Sequence, residues 1–393
     1  MTSRTMAAGL ALLLAAACSA PTPPRSVAAA LPRPSAKPAG PATLPAPTGT
    51  HPVGTTALYL KDTSRPDPWM PGVKARELMV TLWYPARARE GRRARYMSPE
   101  ESELTLKGKR VTGAPYDLLS RTRTNAFTDA GPAAREGRLP LVVLSPGFTM
   151  PRSTLTALAE ELAGGGYVVA GIDHTYENYA TTFPDGRIAE CAACDRDSDP
   201  GFGAKAAGVR AADVSFVLDQ LTGSRAQWAG SSLIDPSKIA MAGQSIGGAG
   251  AVAAMLKDPR IRAGIDMDGT TYAPIPKRGL SRPFLFMGSA GHRPGGRDGS
   301  WDRDWRLLTG WKRWLVLPGA EHQSFTDVPL LADALGVGLR GDLSAARSIE
   351  ITRAYVRAFF DLHLKARRQP LLDEPSSRYP EVELCAPDKK ICE

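Results

Sequence analysis

Lys238–Gly250 reads KIAMAGQSIGGAG. The run KIAMA is short, apolar and suited to a strand over Lys238–Gly243. Ile246–Leu256 (IGGAGAVAAML) has the length and small-residue content of a packed helix. Between them Gly243-Gln244-Ser245-Ile246-Gly247 is a G-x-S-x-G motif. A strand, a tight glycine-flanked turn and a helix form the context that makes this motif a nucleophile elbow. The turn stands the Ser245 hydroxyl at the C-terminal edge of a sheet, where open α/β sheets build their sites. The helix N-terminus behind it offers N–H groups and a positive dipole end to a developing oxyanion.

The flanking sequence has the same alternation. Leu139–Leu144 and Tyr167–Ile172 are continuous apolar runs of the kind that form strands buried on both faces. Ile261–Met267, Pro283–Met287 and Trp314–Leu317 read as further strands. Thr154–Ala163, Ala204–Leu221 and Ile349–Leu364 carry helical spacing. Arg76–Tyr84 alternates and stops at Pro85, whereas 86–140 reads as loop with some short helix. Strands alternating with helices predict an α/β fold with a mostly parallel central sheet and helices on both faces.

A serine alcohol needs a base, and the base an orienting carboxylate. Three histidines follow Ser245. His363 lies inside the closing helix and reads as structural. His322 follows the last long strand in a loop (WLVLPGAEH), where this fold places its base. His292, after FLFMGSAGH, is the rival. For the acid, Asp268 ends a strand before Gly269, Asp266 lies earlier on it, and Asp298, Asp302 and Asp304 follow the next strand. The residues alone leave that choice open.

The chain resembles the platelet-activating factor acetylhydrolases of the plasma and intracellular type II family. The resemblance runs from Leu78 to about Leu364, in VTLWYPA, LVVLSPGF, ELAGGGYVVAGIDH, AADVSFVLDQL, AGQSIGGAG, AGIDMDG, RPFLFMGS and PGAEHQSFTD. It implies an α/β-hydrolase fold with Ser245 as nucleophile, Asp268 as acid and His322 as base, 23 and 77 residues after the serine. It also implies backbone oxyanion donors at Phe148 and Ile246, and a small-molecule ester as substrate, in this family a short-acyl phospholipid. Gln244 and Pro146 stand where the family usually has histidine. Related bacterial lipases and polyester hydrolases share much of the pattern, so a general carboxylesterase is the alternative. From another class, the alternative is an inactive hydrolase-fold binding module, against which the intact motif argues.

Composition bounds the rest. The 393 residues are 43% hydrophobic and 23% charged, which excludes a wholly disordered chain. No apolar run reaches the roughly 20 residues that span a bilayer. The net charge is +9, and Arg87, Arg89, Arg92, Arg93 and Arg95 form a basic cluster that reads as a solvated loop. No nucleic-acid motif accompanies it. Arg4 precedes an apolar run of eleven residues, Ala7–Ala17, ending at Cys18. That pattern is a signal peptide over 1–17, and it resembles a bacterial lipoprotein signal with Cys18 as the lipidated residue. Nine prolines between Pro21 and Pro47 make 18–50 a tether, leaving 51–393 as the catalytic body. These features predict export, with a lipid anchor at a membrane surface.

With Cys18 lipidated, four cysteines remain. Cys191 with Cys194, and Cys385 with Cys392, are expected to pair as small disulfides in an oxidising compartment. His174, after YVVAGI, is expected to be a structural neighbour of the site. Trp301 and Trp305 pack under a loop or form an apolar lip. Asp266-Met267-Asp268-Gly269 lacks the surrounding ligands of a calcium loop, and no H-E-x-x-H occurs. No metal or other cofactor is expected.

Overall fold

The computed structural model describes residues 40–133, 138–338 and 341–393. The proposed signal segment, Cys18 and most of the tether lie outside these residues. The strands are β1 (Val53–Asp62), β2 (Arg76–Pro85), β3 (Arg93–Arg95), β4 (Arg123–Thr128), β5 (Leu139–Ser145), β6 (Val168–Asp173), β7 (Thr181–Thr182), β8 (Ile188–Ala189), β9 (Ile234–Gln244), β10 (Ile261–Met267), β11 (Phe284–Ser289), β12 (Lys312–Leu317), β13 (Glu383–Ala386) and β14 (Ile391–Cys392). The helices are α1 (Pro99–Gly108), α2 (Thr156–Gly164), α3 (Phe202–Thr222), α4 (Ile246–Lys257), α5 (Ser300–Trp305), α6 (Val328–Leu335) and α7 (Ala345–Lys365).

A 12-stranded sheet runs β14-β13-β12-β11-β10-β9-β5-β6-β2-β1-β4-β3. Its centre, from β6 through β5, β9, β10 and β11 to β12, is parallel. The pairs β2–β6, β1–β2 and β12–β13 are antiparallel. The continuous apolar runs are explained by burial on both sides. Along β5, Leu141 and Val143 enter one core layer, with Val214 and Leu218 of α3 and Val252 of α4. Val142 and Leu144 enter the opposite layer, with Leu158 of α2 and Val356 and Phe359 of α7. A period-2 strand facing helices on both sides needs an apolar residue at every position.

The stretch 86–140 is expected to be loop with some short helix. The structure finds β3, α1 and β4 there. Helix α1 is closed by a capping box: Ser98 accepts from the Glu101 amide and Glu101 accepts from the Ser98 amide. The five arginines of the basic cluster are exposed, as expected of a solvated segment. The end of the tether is packed rather than free. Leu44 is buried, its amide bonds the Arg123 carbonyl, and Arg353 donates to the carbonyls of Pro45 and Ala46. The folded body therefore begins before His51. Among the described residues no helix is long and apolar enough to cross a membrane.

Candidate active site

Adjacent parallel strands bring the chemistry-bearing residues to one edge. Ser245, Asp268, His292 and His322 follow the C-terminal ends of β9, β10, β11 and β12, four neighbours in the sheet. Phe148 follows β5, on the other side of β9, and His174 follows β6. Residues scattered over more than 170 positions of sequence are collected there by register alone: Ser145 pairs with Gly243 and Gln244 with Met267.

Ser245 has φ 58° and ψ −126° and stands at the N-terminus of α4. This backbone region is costly for a residue with a Cβ. The surrounding glycines explain how the turn closes. A Cβ on Gly243 would lie 2.1 Å from the Gly247 backbone, and one on Gly247 would lie 2.1 Å from the Ser145 carbonyl. The turn is pinned by the Ser245 amide on the Met267 carbonyl, at 2.8 Å, and by the Gly248 amide on the Ser245 carbonyl, at 2.9 Å. Neither the Ile246 nor the Phe148 amide has a backbone acceptor among the described residues. Ile246 is the first residue of α4, and the first amides of a helix have no intrahelical partner.

Asp268, also left-handed at φ 56°, is 3% exposed. Its Oδ2 lies 2.7 Å from His322 Nδ1, and its Oδ1 lies 2.9 Å from His292 Nδ1. The Ser289 amide also donates to Oδ1, at 2.6 Å. Burial pushes this carboxyl up, but the bonds from His292 and then His322 outweigh it and hold it well below the usual carboxylate range. Burial pulls His292 down. Its bond to Asp268 and the neighbouring carboxylate of Asp298 prevail, and its value is raised to about 10. Asp298 stands 3.4 Å from His292 Nε2. Beside them Asp266 is fully buried and its carboxyl is pushed up by burial. One of its oxygens accepts from the Gly269 amide at 2.9 Å and the other has no partner.

His322 is the exposed member of the group, its side chain 48% accessible. Gln244, fully buried, donates to the His322 carbonyl at 2.9 Å, and its amide nitrogen lies 3.3 Å from His322 Nε2. Nδ1 faces Asp268, so Nε2 is the ring nitrogen on the side of the elbow. The residue where the family usually has histidine thus steadies the loop that carries His322.

The other sequence candidates separate from this group. His363 packs edge-on against Trp311 and Phe359 inside α7. Asp302 accepts from the Gly295 amide at the surface, and Asp304 is buried on Thr271 and Arg303. Trp301 is fully buried and stacks on His292, with ring centroids 4.3 Å apart, so it packs under the loop rather than forming a lip. The sulfurs of Cys191 and Cys194, and of Cys385 and Cys392, stand at bonding distance, 2.08 Å and 2.02 Å. Among the described residues no cluster of potential metal ligands occurs. A cavity of about 240 Å³, lined among others by Trp83, Tyr96, Arg152 and Asp173, touches none of Ser245, Asp268 and His322.

The family model described as platelet-activating factor acetylhydrolase, isoform II, matches residues 38–190 and 220–370. The chain belongs to this family. Among curated relatives it is similar to an Arthroderma benhamiae protein named "Probable 1-alkyl-2-acetylglycerophosphocholine esterase", 31% identical over 264 residues, 62% of this chain and 65% of that one. It therefore spans just under two thirds of that relative's length. It is also similar to the platelet-activating factor acetylhydrolase of Cavia porcellus, 22% identical over 83% of this chain and 79% of the relative. Among solved structures it matches a ferulic acid esterase from Streptomyces cinnamoneus at TM-score 0.77 and 45% identity, covering 88% of this chain and 100% of that one. The α/β-hydrolase fold expected from the motif is thus shared with an esterase of known structure.

Two features were missed by sequence reasoning. The grip of His292 on Asp268 left no mark beyond a histidine after the right strand. The bonds around His174 left none at all.

Proposed function

We propose that the protein is an exported serine esterase that cleaves carboxylic esters through an acyl-enzyme on Ser245. The observation that carries this reading is the 2.7 Å contact of His322 Nδ1 with Asp268, beside a serine presented on a strained elbow. Asp268 holds the Nδ1–H tautomer and balances the imidazolium formed in the reaction. His322 Nε2 takes the Ser245 proton as Oγ attacks the ester carbonyl. The Phe148 and Ile246 amides receive the oxyanion, and His322 then gives the proton to the leaving alcohol. In the second half, water loses a proton to His322 and attacks the acyl carbon. Ser245 recovers its proton and the acid departs.

For the substrate, the family supports a short-acyl phospholipid. A second reading, an aromatic acid ester, is favoured by the 45% identity to a ferulic acid esterase. The Ala7–Cys18 pattern supports a lipid anchor on the extracytoplasmic side, and the two close cysteine pairs support disulfides formed there. A fluorophosphonate probe tests the class. Labelling is expected at Ser245 and not in Ser245→Ala, and an unlabelled wild type would indicate a binding module. Turnover of graded p-nitrophenyl esters, methyl ferulate and a 2-acetyl phospholipid, measured side by side, decides between the two substrate readings.

A further inference from the structure

Beneath the elbow lies a second serine–histidine–aspartate chain. Ser145 Oγ is 2.9 Å from His174 Nε2, and His174 Nδ1 is 2.8 Å from Asp213 Oδ2. Ser145 and Asp213 are fully buried and His174 is 2% exposed. No ester reaches this serine, because its side chain is fully buried.

The chain's surroundings show what it holds. Ser145 is the last residue of β5, and Pro146-Gly147-Phe148 follow it. Arg210 Nη1 donates to Ser145 Oγ at 3.1 Å and also to the Pro146 carbonyl. The same arginine donates through Nε to Glu177 Oε2 at 2.8 Å, and the Glu177 carbonyl accepts the Thr149 amide at 2.8 Å. The segment that carries Phe148 is therefore gripped on both sides, at Pro146 and at Thr149. Gly147 fills the space between: a Cβ there would lie 2.4 Å from Gln244 Oε1 and 3.5 Å from the Ser245 Cβ.

Hydrogen-bond directions along the chain are fixed. Asp213 is anchored by Arg76, whose Nη2 and Nε donate to it at 2.9 and 3.2 Å, and Arg65 reaches it from the rim. Burial, and next the charge of Arg210, push the imidazole of His174 down. Its Nδ1–H points to Asp213, which leaves Nε2 to accept the Ser145 hydroxyl proton. The oxygen of Ser145 is then left to accept from Arg210. A hydroxyl with its proton committed and a guanidinium on its lone pair is a rigid strut and a poor nucleophile.

We propose that the Ser145–His174–Asp213 chain, with Arg210, is a positioning device that aims the Phe148 amide at the oxyanion formed on Ser245. The inference rests on Ser245 being the nucleophile and Phe148 a donor. Oxyanion donors act only when held within a few tenths of an ångström of the charge they receive, and losing one can cost about 10²–10³ in kcat. A donor that is loosened rather than lost costs less.

Ser145→Ala removes the central oxygen and leaves every charge in place. Its kcat on a short-chain ester is expected to fall about tenfold, with KM within about twofold. Affinity for a trifluoromethyl ketone, which forms a tetrahedral adduct on Ser245, should fall by a similar factor, while binding of the product acid should not change. Should Ser145→Ala not fold, Arg210→Lys carries the same measurement: it keeps the charge opposite Glu177 and gives up the second nitrogen that reaches Pro146. A folded variant with wild-type kcat and inhibitor affinity overturns the inference, as does fluorophosphonate labelling of Ser145 in a Ser245→Ala background. A wild type that is not labelled at Ser245 overturns the esterase reading instead, so the two failures are distinguishable.

Discussion

His292 and His322 share one carboxylate. They sit on opposite oxygens of Asp268, at 2.9 and 2.7 Å through Nδ1 in each case. One ring is enclosed by Trp301 and Asp298, and the other is half exposed beside the elbow. The two histidines that competed for a role in the sequence thus occupy different ones around the same acid. The enclosed ring holds one oxygen of the carboxylate, and the exposed one is the ring we propose as the base.

The acid is tested by Asp268→Asn. With the orienting anion removed, kcat is expected to fall by about 10⁴. Asp298→Asn, which faces His292 Nε2 and accepts from Thr270 and the Ser300 amide but does not reach His322, should retain most activity. Turnover of a p-nitrophenyl ester by the two variants checks this, and the reverse ranking would move the acid to Asp298.

Ser245 and His322 are proposed to act as one unit, so their losses should not add. Each alanine variant is expected to lose at least about a thousandfold in kcat/KM, and the double variant little more than either. Melting temperatures should barely move, since neither side chain supports a core layer. A large further drop in the double variant would show the two working separately.

His292 carries a pH signature. Its folded value is raised to about 10 from the ordinary 6.5. A group raised on folding contributes its full stabilisation below the unfolded value, and loses it as pH rises through the folded one. Wild-type stability should therefore decline between about pH 6.5 and 10, and His292→Gln should decline less over that window. At pH 6 the variant is expected to be less stable by about 1.5–3 kcal/mol, the loss of a hydrogen bond to a charged group. Its kcat should fall by about tenfold or less, far short of Asp268→Asn, because the Ser289 amide still holds the carboxylate. Denaturation at a series of pH values, with turnover in parallel, measures both.

Gly269 joins the two strained turns. A Cβ there would stand 2.1 Å from the Ser245 carbonyl and 2.5 Å from Asp266 Oδ1. Gly269→Ala is expected to lower stability by about 1–3 kcal/mol or more, as overpacking does, and to abolish turnover. Chemical denaturation and an ester assay check it. A variant as stable and active as wild type would mean that the elbow and the acid turn are not locked together.

Cys18 is tested by location. The full-length protein is expected to partition with membranes, and Cys18→Ala to shift to the soluble or precursor pool, since anchoring depends on the acyl chains. Fractionation of both forms gives the answer, and equal partitioning would remove the lipid anchor.

The central strands were legible because burial on both faces leaves an unbroken apolar run, as in LPLVVL and YVVAGI. The outer strands were not. β1 (VGTTALYLKD) mixes threonine and lysine with apolar residues because part of it is solvated, and β4 (RTNAFT) is held by partners distant in sequence, such as Glu160 on the amides of Asn125 and Ala126. At the site, Ser245 was legible because its turn imposes local residue choices. His322 was legible from its place after a strand. Asp268 needed a family resemblance, since five aspartates in the region were chemically eligible. The bonds of His292, and of Ser145 with His174 and Asp213, span 24, 29 and 39 positions. Only the sheet register brings such residues together, and no local pattern records it.

The conformation of Ser245 has a consequence for anyone who selects variants of this protein. A residue with a Cβ held at φ 58° and ψ −126° costs the fold about 1–3 kcal/mol, which glycine would largely recover. A screen scored on melting temperature alone will therefore reward Ser245→Gly, the change that removes the proposed nucleophile. On the proposed chemistry, thermal tolerance and activity are set against each other at Ser245 itself, and gains in robustness are better sought in regions such as the solvated arginine segment, where no strained backbone is tied to the site.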